Sequence, residues 1–126
     1  MQVTGTLKSL ALSIDKELLS ITTESSVVVR NLTTNTSIPL NLRHLPTSFG
    51  CTAFHPQRRT VLIVACGSQL VVFDSAKPNT PLKIVSLGAT VVDLTFLPNG
   101  KGCLAVATEH GDSYIVDVEK EKLLVC

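Results

Sequence analysis

Apolar residues along this chain come in short runs of about five, bounded by turn residues, and not at the 3.6-residue spacing of an amphipathic helix. Three runs define a period. Val27-Val28-Val29-Arg30-Asn31, Leu70-Val71-Val72-Phe73-Asp74 and Tyr114-Ile115-Val116-Asp117 end 43 residues apart each time. Upstream, Leu18 to Thr22, Val61 to Ala65 and Leu104 to Thr108 align at the same offset without a gap. Between the paired runs lie Glu24-Ser25, Gly67-Ser68 and His110-Gly111-Asp112, polar or Gly-containing segments of the kind that close a hairpin.

A further run opens each unit, at Leu10 to Ile14, Cys51 to Pro56 and Val92 to Pro98. In the third of these Val92, Leu94 and Phe96 alternate with Asp93 and Thr95, as in a half-buried strand. A fourth run closes each unit, at Ile38 to Leu42, Leu82 to Leu87 and Leu123 to Cys126. The pattern predicts an all-β chain of about three four-stranded antiparallel units, over residues 7–42, 48–87 and 88–126 of one repeat region spanning 1–126. The second and third runs of each unit are apolar at nearly every position, which predicts burial on both faces, as when small sheets stack.

A period near 40 residues, four strands per unit, a Phe-x-Pro corner after the first strand and an Asp closing the third together resemble the WD40 family. Phe54-His55-Pro56 and Phe96-Leu97-Pro98-Asn99-Gly100 match the corner. Asp74 and Asp117 stand where that family places the Asp of its Trp-Asp pair, with Phe73 and Val116 in the Trp position and Arg30-Asn31 as the weakest version. Asp112 matches the Asp that the family often places in the tight turn. The chain has no Trp, and the Gly-His that usually precedes the first strand is missing, although His44 lies near its expected place. The resemblance therefore implies degenerate β-propeller blades, in which the family's His-Ser-Asp-Trp network is not assembled. It also implies a partial propeller or the N-terminal portion of one, because a closed ring takes four to eight blades. A chain of three calls for self-association or a chain that completes the propeller.

Composition adds mostly exclusions. Charged residues are 17% of the 126, and eleven basic against ten acidic side chains leave a formal charge of +1, so no global field attracts a polyanion or a membrane surface. Nucleic acid is not an expected partner. The longest wholly apolar run, Val61 to Cys66, is far short of a membrane span, and no secretory signal is read near Lys8 to Asp15. An intracellular protein, in cytoplasm or nucleus, is expected. Cys51, Cys66, Cys103 and Cys126 form no CxxC pair and read as reduced thiols. Asn31-Leu32-Thr33 and Asn35-Thr36-Ser37 are glycosylation sequons in form, read as chance for a chain outside the secretory route.

Catalytic raw material is thin. Glu109-His110-Gly111-Asp112-Ser113 holds an acid, an imidazole and a hydroxyl, but in the setting of a polar hairpin turn. His44 and His55 fall elsewhere in the repeat, and Gly88, Gly100, Gly102 and Gly111 make no phosphate-cradling loop. No enzyme activity, cofactor or metal is expected. Arg58 and Arg59, with Lys77 and Lys101, lie in loops that the repeat places at one end, which opens an alternative reading as a module for phosphoinositide or nucleic-acid phosphate. The Phe-Arg-Arg-Gly motif of phosphoinositide-binding propellers is not present. The main expectation is a non-catalytic protein-interaction scaffold within a larger assembly, with no specific binding residues assigned, since four Phe and one Tyr supply no cluster of surface anchors.

Overall fold

The computed structural model describes residues 7–23, 26–41, 49–97, 102–117 and 122–125. Twelve strands and no helix occur among them: β1 (Leu7–Leu12), β2 (Leu18–Thr23), β3 (Val27–Asn31), β4 (Thr36–Pro39), β5 (Phe49–Phe54), β6 (Val61–Cys66), β7 (Gln69–Asp74), β8 (Lys83–Ser86), β9 (Val91–Phe96), β10 (Cys103–Thr108), β11 (Ser113–Asp117) and β12 (Lys122–Val125). They form three sheets of four sequential strands, β1 to β4, β5 to β8 and β9 to β12, every pair antiparallel.

Strand formation follows from the side chains. β6 and β7 hold five Val and Ile residues whose branched Cβ atoms suit a pleated surface. Their hairpin turns through Gly67, at φ 60°, the conformation that a first-position glycine supplies to a tight two-residue turn.

The sheets stack, and the alternation of β6 shows how. Leu62, Val64 and Cys66 join Leu18, Val27, Val29 and Leu40 in one core, between the first and second sheets. Val61, Ile63 and Ala65 join Val91, Leu94, Leu104, Val106 and Val116 in another, between the second and third. Adjacent residues of one strand thus serve two cores, as the period of two requires. Leu62, Ile63 and Phe73 are fully buried, and burying a side chain of this size stabilises by ~1.5 to 3 kcal/mol. Neighbouring sheets meet chiefly along their first strands, β1 against β5 and β5 against β9.

Expected burial on both faces is complete only in the central sheet, although Ile21 and Thr23 on the outward side of β2 are also buried. β6 is buried at all six positions, whereas β10 alternates between half-buried and buried and Leu19 of β2 is half-buried. Sheets at the ends of a stack have one neighbour each among the described residues, and the same apolar sequence is then left half covered.

The gapless alignment also needs one correction. Leu18 pairs with Asn31 and Val61 with Asp74, but Asp117 pairs with Cys103, not Leu104. Two residues separate Thr23 from Ser26 and Cys66 from Gln69, whereas Glu109, His110 and Gly111 separate Thr108 from Asp112. One extra turn residue, accommodated by Gly111 at φ 84°, slips the third hairpin by a single position. The resulting three-residue loop is the usual alternative to a two-residue turn.

Candidate functional site

Cross-strand register fixes which side chains share a face. In the first sheet one row runs Leu10, Ile21, Val28 and another Leu12, Leu19, Arg30, both on the face turned away from the second sheet. Leu10 is 56% and Leu12 51% exposed, and Ile14 in the following turn is 65% exposed. Leu10, Ala11, Leu12 and Leu19 line a shallow apolar groove of about 300 Å³. Arg30 stands at the side of this face, donating to Ser37 Oγ at 3.0 Å and to Asn35 Oδ1.

At the other end of the stack the row Thr95, Ala105, Ile115 faces away from the second sheet. Asp93, Thr95, Ala105, Ala107 and Ser113 edge a shallow hollow of about 160 Å³. The floor is of small side chains, and the face is smoother and more polar than the leucine face.

Of the basic loop residues, Arg59 is paired with carboxylates. Arg59 reaches from the β5–β6 turn to the β1–β2 turn, where Nε meets Asp15 Oδ2 and an Nη donates to Glu17 Oε2 at 3.0 Å. This ion pair joins a turn of the first sheet to a turn of the second. Ser13 Oγ, donating at 2.5 Å, and the Glu17 amide stabilise the Asp15 carboxylate further, and with Arg59 they hold its pKa at about 2, below the ordinary 3.8. Arg58 donates its amide to His55 and accepts from the Val61 amide, so its backbone is part of the turn. Lys77 lies after β7, with its amide on the Asp74 carbonyl. Lys101 lies outside the described residues, as do Glu24, Ser25 and His44.

Two of the motif positions prove to be turn caps. Asp74 Oδ1 accepts from the Ala76 amide at 2.9 Å, and Asn31 Oδ1 from the Thr33 and Thr34 amides at 2.9 and 3.0 Å. The weakest match by sequence thus makes the same local bonds, because a short side-chain carbonyl or carboxylate mimics the backbone acceptor of a turn. His55 belongs with them. It is buried, and its Nδ1 accepts from the Gln57 and Arg58 amides.

Glu109 and His110 approach to 3.9 Å, both more than half exposed. A ring so placed is held by one long contact in water, which is a weak basis for oriented proton transfer. Among the described residues no three of His, Cys, Asp and Glu gather at metal-binding distance, and no helix is long and apolar enough to cross a membrane. Cys51 and Cys66 are held as thiols, pushed up to about 11 and about 12 by burial.

The leucine face is not legible in the sequence, where Leu10 to Ile14 reads as one more strand start, and only the stacking order shows that its outward side has no neighbour among the described sheets. Comparison with family models and with curated proteins finds no match for this chain.

Proposed function

We propose that this chain is a non-catalytic scaffold that holds protein partners within an intracellular assembly, its three sheets acting as degenerate blades of the WD40-like propeller kind. Three observations support the blade reading: the 43-residue interval between third-strand ends, the sequential antiparallel order of strands, and the meeting of sheets along β1, β5 and β9. The single observation that carries the interaction reading is the exposed leucine face. Leu10 and Leu12 line one apolar groove with Leu19 on the first sheet, with exposed Ile14 in the turn that follows, where isolated exposed leucines would need no explanation.

Phosphate recognition draws less support. Arg59, half of the arginine pair that suggested it, is committed to Asp15 and Glu17, and a phosphate would have to displace two carboxylates.

Affinity capture on the immobilised chain, followed by reconstitution with the purified captured protein, tests the scaffold reading. A partner that binds with fixed stoichiometry, and is lost from a Leu10→Glu, Leu12→Glu chain, is the expected result. Identical behaviour of the wild-type and doubly substituted chains sinks it.

A further inference from the structure

The two outward faces, against which none of the described sheets packs, are register copies of the two faces that pack together inside the stack; on the first of them Ile21 is buried and Leu10 and Leu12 are exposed. Leu12 pairs with Leu19 as Phe54 pairs with Leu62 and Phe96 with Leu104. Leu10 and Ile21 occupy the places of Thr52 and Val64, and of Leu94 and Val106. In the second and third sheets these positions bury against the preceding sheet: Leu62 and Leu104 are fully buried, while Leu12 in the matching row of the first sheet is 51% exposed.

The opposite end obeys the same rule. The outward row Thr95, Ala105, Ile115 matches Ala53, Ile63, Val72 of the second sheet and Ala11, Ser20, Val29 of the first. Those two rows pack against the following sheet, through Ala11 and Val29 in one core and Ala53, Ile63 and Val72 in the other. Each internal interface therefore sets a row with a small first-strand residue against a row with a large one. The chain carries an unused half of each kind, Thr95 and Ala105 at one end and Leu10 and Leu12 at the other.

We infer that the leucine face of one copy stacks on the Thr95–Ala105–Ile115 face of a second copy, head to tail, continuing the interface that joins the sheets within the chain. The partner follows from self-complementarity, since both halves of the interface stand on one chain and continue an interface already formed twice. Charge agrees: Arg30 borders the leucine face, and Asp93 and Asp117 lie on the other. A head-to-tail contact closes when its rotation returns to the start. Two copies supply six sheets, within the four to eight of closed radial stacks, so the expected product is a dimer with two equivalent interfaces. This inference rests on the blade reading above.

Light scattering on the purified 126-residue chain, with circular dichroism as a check of fold, tests it. The wild type is expected at twice the 13.5 kDa of one chain. Leu10→Glu with Leu12→Glu should reduce it to the single mass, and so should Ala105→Glu. Thr95→Arg, at an exposed position of the same row, serves if Ala105→Glu fails to fold. Mixing the leucine variant with the Ala105→Glu or Thr95→Arg variant leaves one intact interface per pair and should restore the double mass, with weaker affinity. A dimer that survives both Ala105→Glu and Thr95→Arg overturns the head-to-tail contact in favour of leucine face on leucine face. A folded wild-type monomer at all micromolar concentrations overturns self-stacking. If that monomer still captures another protein through Leu10 and Leu12, the scaffold reading stands without it; if it captures nothing, both fall.

Discussion

Ser20 on β2 and Thr52 on β5 meet across the core between the first two sheets, their hydroxyl oxygens 2.8 Å apart and both residues buried. Each hydroxyl is satisfied by the other, so polar groups sit in an apolar layer at modest cost. Removing one partner exposes the asymmetry of buried hydrogen bonds. Ser20→Ala is expected to destabilise by ~1 to 3 kcal/mol, because Thr52 keeps a desolvated hydroxyl. Adding Thr52→Val should recover most of that loss. Urea denaturation of the two single variants and the double variant checks it, and additive losses would show that the pair is not coupled.

Asp15 makes a prediction about acid. Its carboxylate is held at about pKa 2, from the ordinary 3.8, first by the Ser13 hydroxyl, then by the Glu17 amide and the Arg59 guanidinium. A depressed carboxylate pKa favours the folded state above the unfolded value, and the benefit disappears as pH falls from about 4 toward 2. Ser13→Ala is expected to raise the Asp15 pKa more than Arg59→Ala does, since the exposed ion pair is screened by water. Carboxyl-carbon NMR titration of Asp15 in the three chains reads this order directly, and a larger effect of Arg59→Ala would reverse the assignment.

The cysteines respond at the other end of the scale. Burial pushes Cys51 up to about 11, with the negative charge of Asp93 adding to it, while burial by itself takes Cys66 to about 12. A raised thiol pKa contributes stability that is complete below 9 and is lost as pH climbs through 11 to 12, because the unfolded thiols ionise first. Asp93→Asn should lower the Cys51 pKa and leave Cys66 unchanged. Alkylation rate against pH, on chains retaining one cysteine at a time, separates the two.

Much of this fold is legible in the chain because its signals are local. Apolar runs bounded by turns locate the strands, and Asn31, Asp74 and Asp117 end their strands at the interval read from sequence. The slip in the third hairpin is not legible, since Leu104 and Cys103 are both apolar and only pairing decides which faces Asp117. Arg59 illustrates the limit for the candidate site. Its partners are more than 40 residues away, and nothing in Arg58-Arg59 distinguishes a cation waiting for phosphate from one already paired. Ser20 and Thr22, polar positions within the run from Leu18, are fully buried in the structure.

His55 combines two roles that substitution separates. Its Nδ1 accepts from the Gln57 and Arg58 amides at 3.0 and 3.2 Å, so in that state the proton is on Nε2, and its ring lies 5.3 Å from that of Phe96, tilted by 58°. Asn31 shows that a side-chain carbonyl accepts the same pair of amides, two and three residues ahead. His55→Asn should therefore keep the cap and lose the ring contact, at ~0.5 to 1.5 kcal/mol beyond the loss of buried area. His55→Phe should keep the ring and leave two turn amides short of an acceptor, at ~1 to 3 kcal/mol. His55→Ala loses both and should be the least stable of the three. Thermal denaturation ranks them: Asn below Phe would mean that inter-sheet packing, not the turn, is what His55 secures, and an Ala variant as stable as wild type would remove both roles.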